Sequence, residues 1–207
     1  MARDSARSAR FHAQHSIDIV AHRVNRDRPD FSATAAPDGT VTLVFSDMEG
    51  FTTMTERLGD LRAREVIRAH NRIVRVQVAA HGGYEVELQG DGFLLAFGSA
   101  RRALHCAIAI QRAMAAHSAE HPEEPLRVRI GLHTGEALRE ADKFFGRTVI
   151  LAARIAAQPL GGEILASAVI HELARSGGDV CFGDRRLLEL KGIAEPQSVY
   201  EVDWTTE

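Results

Sequence analysis

The chain is poor in the residues that mark a secreted scaffold, a membrane protein or a nucleic-acid binder. Its 207 residues include two cysteines, Cys106 and Cys181, far apart and without metal-type spacing. That argues against a disulfide framework or a cysteine zinc site and predicts two buried thiols in a reducing cytoplasm. No apolar run approaches the roughly 18 residues of a membrane span, and no signal-peptide pattern opens the chain. A soluble, cytoplasmic domain is expected. A surplus of positive charge is missing too: 25 Lys and Arg stand against 28 Asp and Glu, a net charge of −3. A general nucleic-acid binder needs the opposite balance to neutralise phosphates. No internal repeat is visible. What the chain does have is 45% apolar and 26% charged residues, enough for an ordinary buried core.

Residues 1–40 read as an appendage, and 41–207 as one domain. The first 30 residues hold six Arg against four Asp, and Ile17, Val20, Ala21 and Val24 fall at helical spacing. Pro29 and Ala36-Pro37-Asp38-Gly39 then punctuate a linker. From Val41 to Phe45 a continuous, β-branched apolar run predicts a strand buried on both faces. A turn is expected over Ser46–Thr53. A helix carrying Leu61, Ile67, Ile73, Val74 and Val78 follows and ends at His81-Gly82-Gly83. Tyr84–Leu88 and Phe93–Phe97 flank Gln89-Gly90-Asp91-Gly92, a hairpin signature. Ala100–His117 is helical, and Leu126–Thr134 alternates like a half-buried strand. Helices over Gly146–Ala157 and Ser167–Ser176 enclose a short strand at Glu163–Ala166. Short strands at Val180–Gly183, Arg186–Leu190 and Ser198–Val202 close the chain. The leading β-α-β-β-α-β order gives an α+β fold: a ferredoxin-like split βαβ sandwich with helices around a mostly antiparallel sheet.

Two carboxylates stand out. Asp47 follows the first strand, and Asp91 sits between glycines at the hairpin tip. In a split βαβ sheet those two places are neighbours. Two carboxylates with backbone carbonyls, that of Met48 included, make a hard-oxygen site for Mg²⁺ or Mn²⁺, which also bind substrate phosphates. Beyond Asp47 the chain turns into a helix, whose first amides at Phe51 and Thr52 are placed to cradle a triphosphate. Each feature alone has an ordinary reading, since Asp before a helix commonly caps it and Gly-Asp-Gly commonly makes a turn.

Together the motifs are more specific. Phe45-Ser46-Asp47-Met48-Glu49-Gly50-Phe51-Thr52, Gln89-Gly90-Asp91-Gly92-Phe93, Arg129-Ile130-Gly131-Leu132-His133-Thr134-Gly135, and Phe145-Gly146-Arg147-Thr148-Val149 through Ala152-Ala153-Arg154 stand in order. This set resembles the class III adenylyl/guanylyl cyclase catalytic domain, over about residues 41–203. The resemblance implies a homodimer with shared active sites, in which Asp47 and Asp91 hold two Mg²⁺ or Mn²⁺ ions. It implies attack of the ribose 3′-hydroxyl of a nucleoside triphosphate on its α-phosphorus, with pyrophosphate leaving. Arg154 would arrive from the partner chain to stabilise the transition state, and Lys191 would assist the triphosphate. His133, at a strand end before a Gly turn, reads as structural rather than catalytic.

Three positions depart from the family pattern. Where adenine-selective members have Lys, this chain has Glu87, and where they have Asp it has Lys143, beside Asp142. This acceptor and donor match the edge of guanine, or of uracil in a smaller outline. The ribose-orienting Asn is replaced by Ile150. The expectation is a nucleotidyl cyclase leaning to GTP or UTP. The alternatives are an ATP-using adenylyl cyclase, with Glu87 and Lys143 a plain ion pair, or a weakly active or inactive homologue acting as a nucleotide-binding regulatory dimer.

Overall fold

The computed structural model describes residues 34–140 and 143–206, except the side chains of Gln89, 138–140 and 143–145. The helix expected around Ile17–Val24 lies outside the described residues. Ala35, just before the first strand, packs against the sheet.

β1 (Thr40–Met48) is buried almost throughout. Val41, Leu43 and Phe45 enter one apolar cluster and Val44 and Met48 another, as alternation demands of a strand covered on both faces. The turn after it is shorter than the expected Ser46–Thr53. Ser46 and Asp47 stay paired with Ile130 and Arg129, so β1 runs to Met48 and α1 (Phe51–Leu58) begins three residues later. Gly50 makes the bend at a φ of 72°, backbone that favours glycine. In α2 (Asp60–Ala80), Ala63, Val66, His70, Val74 and Val78 face inward, whereas Leu61, expected on the apolar stripe, is 84% exposed. It lies off that face because the buried positions fall at intervals of three and four residues from Ala63.

The hairpin forms as β2 (Tyr84–Gln89) and β3 (Gly92–Phe97). α3 (Ala100–Glu120), capped by Ser99, leads to β4 (Val128–Glu136). A small hairpin, β5 (Leu138–Glu140) and β6 (Lys143–Phe145), precedes α4 (Arg147–Ala156), β7 (Ile164–Ser167) and α5 (Ala168–Ala174). β8 (Cys181–Leu188) and β9 (Gln197–Asp203) close the domain. The two strands expected at Val180–Gly183 and Arg186–Leu190 are one strand with an irregular register between Phe182 and Arg185, so pairing with β9 continues through the bulge.

Seven strands form one sheet in the order β2-β3-β1-β4-β7-β9-β8, antiparallel except for β4 with β7. Its first four strands have the split βαβ order, so the α+β class and ferredoxin-like core are observed. Side chains from α2, α3 and α5 share one apolar cluster with the sheet; α4 packs on the opposite face. β4 is therefore not half-buried but buried from Val128 to Thr134, because α4 covers the face that carries its polar residues. Helix and strand meet at Gly131, where a Cβ would lie 2.3 Å from the Ala156 Cα. Cys106 is buried as expected. Cys181 is exposed, because it opens the edge strand β8, which among the described residues has a neighbour only on its β9 side.

Candidate active site

The sheet brings the two predicted carboxylates together. Asp47 is on the α4 face of β1, like Phe45 two residues before it. Asp91 reaches it from the β2–β3 tip, and the Met48 amide donates to its Oδ2 at 3.2 Å. Both acids are buried, with 1% and 7% of their surface accessible. The reason is that Asp47 remains inside the β1–β4 ladder and has a buried cation opposite it.

That cation is Arg129, a residue the sequence placed inside a motif without giving it a role. It is the register partner of Asp47, and its Nε lies 3.1 Å from Asp47 Oδ2. Each side chain is 2% exposed. The signal was present in the alternation of β4: Val128, Ile130 and Leu132 enter the helix-covered core, leaving Arg129 on the other face.

Burial, and then the neighbouring Asp91, raise the Asp47 carboxyl well above its usual range, with Arg129 opposing. Asp91 is also raised by burial, against the pull of its backbone donors and Arg129. Among the described residues, Asp47 Oδ1 has no hydrogen-bond partner. Two close carboxylates with an orphaned oxygen suit a hard divalent cation. No group of three or more His, Cys, Asp or Glu side chains gathers among the described residues. The remaining ligands would therefore be oxygens of backbone, water and substrate phosphate. The Met48 side chain points into the core, so only its backbone is available.

α1 starts beside this pair with no side-chain cap among the described residues. The Phe51 ring packs on the core while its amide stays at the helix start, and Thr52 is exposed. Both line an open groove of about 480 Å³ with Thr55, Glu56, Gly59 and Asp60. Glu49 accepts a hydrogen bond from the Gly161 amide at 3.1 Å, tying the α4–β7 loop to the end of β1.

Arg154 and Lys191 meet elsewhere. Arg154 Nε donates to the Lys191 carbonyl at 3.1 Å, so the last turn of α4 and the loop after β8 hold each other. Glu87 lies on edge strand β2, across from Leu94, and is half-buried. Lys143 opens β6, but its side chain and the whole of Asp142 lie outside the described residues. His133 pairs with Leu43, well along β4 from Arg129; burial and then Arg147 lower its pKa to about 4, so it is neutral at pH 7.

A family model, the adenylate and guanylate cyclase catalytic domain, matches residues 33–203. The chain belongs to that family. The adenylate cyclase of Mycosarcoma maydis is 32% identical over 189 residues, covering 79% of this cyclase domain and 7% of that protein. The present chain thus spans a small part of that relative's length. The crystal structure of an adenylate/guanylate cyclase/hydrolase from Silicibacter pomeroyi is 30% identical, with a TM-score of 0.67, over 79% of this chain and 95% of that one. Adenylate cyclases from Trypanosoma brucei, described in their monomeric state, give a TM-score of 0.71 at 25% identity, over 86% of this chain and 92% of theirs. Among the described residues, no helix of this cyclase domain is long and apolar enough to cross a membrane.

Proposed function

We propose that this domain converts a nucleoside triphosphate into a 3′,5′-cyclic nucleotide and pyrophosphate. The observation that carries this reading is the buried Asp47–Asp91 pair beside Arg129, in a chain whose family match runs from residue 33 to 203. In the reaction the ribose O3′ loses its proton and bonds to the α-phosphorus as the bond from that phosphorus to the β-phosphate bridge breaks. Divalent ions on the carboxylates, two Mg²⁺ or Mn²⁺ per site, supply charge neutralisation and a more acidic 3′-hydroxyl when bound. Asp47 and Asp91 fix the geometry from the sheet. Arg129 offers its guanidinium to phosphate oxygens, and the Phe51 and Thr52 amides add helix-start donors. Arg154 supplies positive charge where it builds up on the α-phosphate oxygens, with Lys191 beside it.

Arg154 belongs to a second copy in this reading. Its own guanidinium is turned to the Lys191 carbonyl. Ile150, four residues earlier and so on the same side of α4, is 36% exposed. That outward face suits a homodimer in which each protomer lends Arg154 and Lys191 to the partner's carboxylates.

The base preference leans to GTP, with UTP next, through Glu87 and Lys143. Relatives named adenylate cyclase, at 32% identity, favour ATP as the second reading. Incubation with each of the four nucleoside triphosphates and Mn²⁺, with product masses read out, decides among them. Cyclic GMP or UMP as the main product supports the Glu87–Lys143 reading; cyclic AMP alone overturns it. No cyclic product from any of the four overturns the activity and leaves the regulatory-dimer reading that Ile150 suggests.

A further inference from the structure

The carboxylate pair already has a resident cation. Arg129 and Asp47 are partners in the β1–β4 register, their side chains are 2% exposed, and Nε and Oδ2 are 3.1 Å apart. Asp91 is drawn into the same cluster through the Met48 amide. The guanidinium places positive charge beside two carboxyls where water is largely shut out. Without it, two like charges would share that space, an arrangement that burial makes costly. The balance is nonetheless incomplete on the acidic side, where Asp47 Oδ1 is orphaned among the described residues.

A divalent cation and this guanidinium would therefore compete for the same carboxylates. Resting on the reading above that Asp47 and Asp91 hold the cation, we propose that Arg129 is an exchangeable counter-ion. In the metal-free domain it neutralises the pair; when a divalent cation binds, Arg129 yields the carboxylates and its guanidinium is released to the incoming phosphates. Two consequences follow from the charges. The domain alone binds a divalent cation weakly, since binding must break a buried ion pair. Nucleotide and cation favour each other, because the polyphosphate gives Arg129 a new partner at the moment the cation takes Asp47. Arg129 is in this sense a positioning residue that couples two ligands.

The test is Mn²⁺ binding to the full chain without nucleotide, followed by the electron paramagnetic resonance of free Mn²⁺. Arg129→Met, which removes the competing charge at similar length, should bind Mn²⁺ at least about tenfold more tightly than wild type. Asp47→Asn should bind more weakly than either. Equal or weaker binding by a folded Arg129→Met overturns the exchange while leaving the carboxylate site standing. No Mn²⁺ binding by wild type and Arg129→Met alike, or wild-type binding by Asp47→Asn, overturns the carboxylate site and the exchange with it.

Should Arg129→Met fail to fold, the wild-type chain carries a second readout. The Arg129 Nε–H resonance, assigned with Arg129→Lys, should shift and lose its protection from solvent exchange as Mg²⁺ is added. A resonance that keeps both shift and protection at saturating Mg²⁺ overturns the proposal.

Discussion

Asp47 is held in a strand with neighbours on either side and Asp91 on the hairpin tip beside it, whereas Arg154 is anchored to the Lys191 carbonyl from a helix end. Asp47 lies in the ladder of β1 with β4, and Asp91 at the β2–β3 tip is tied to the end of β1 through the Met48 amide. The basic residues lie on the last turn of α4 and the loop after β8, where the Arg154 side chain donates to the Lys191 carbonyl. A group that must hold charge before substrate arrives benefits from strands, which set distances within tenths of an ångström. A group offered to another molecule benefits from a position near the surface. In the proposed reading, the contrast is between one half of a site that the domain prebuilds and another that it displays.

The sharpest way to break this contrast is to remove one half at a time. Asp47→Asn and Asp91→Asn should each lower turnover by roughly 10³-fold or more, since charge stabilisation at the reacting centre is lost. Arg154→Ala should lower turnover by about 10²–10³-fold. Mixing Asp47→Asn with Arg154→Ala protein should then recover measurable activity through mixed dimers with one intact site. No recovery, with subunit exchange demonstrated, would show that the two halves work within one chain.

A second test acts on the joint between α4 and the sheet. Gly131→Ala puts a methyl where the Ala156 backbone stands 2.3 Å away. Overpacking there should destabilise the domain by about 1–3 kcal/mol in urea unfolding and shift Arg154 along with the helix. Unchanged stability would mean that α4 is not tightly seated.

The third acts on the prebuilt half through pH. The Asp47 and Asp91 carboxyls have raised pKa values in the folded chain, by burial first and for Asp47 also by its neighbour. Folded protein therefore holds more protons than unfolded protein above the ordinary carboxylate range of about 4. Metal-free stability should fall as pH rises through that range toward neutrality. Denaturant midpoints in a chelator, measured from pH 5 to 8, should decline for wild type and decline less for Asp47→Asn. Excess Mg²⁺ or Mn²⁺ should restore more stability at pH 8 than at pH 6.

The smallest effect belongs to the tether beneath both halves. Glu49→Gln weakens the hydrogen bond from the Gly161 amide, and about 1 kcal/mol of stability should go with it. Turnover should change little, which a steady-state assay checks.

Periodicity alone made most of the elements legible. The run Val41–Phe45 announced a strand covered on both faces, and the glycines around Asp91 announced the hairpin, because both signals are local. Motif order then pointed to Asp47, Asp91 and Arg154 before any distance was known. Leu126–Thr134 reads as half-buried, since Arg129 and His133 make one face polar, and a polar strand face ordinarily meets water. Here α4 lies over it, admitted by Gly131. Cys181 was misread for the reverse reason: a small apolar residue is usually interior, but an edge strand left it outside.

What the sequence determined by itself is therefore what neighbours along the chain dictate: strand alternation, helix faces, hairpin glycines, and the residue types able to hold a cation or meet a phosphate. Only the tertiary structure decided that Arg129 faces Asp47, that both are shut away from water, and that Arg154 turns to the loop at Lys191. Those facts depend on the register between strands and on which helix covers which face. Register is set when distant segments bury their apolar sides together, and no local spacing records which pairs of polar residues that burial will bring face to face.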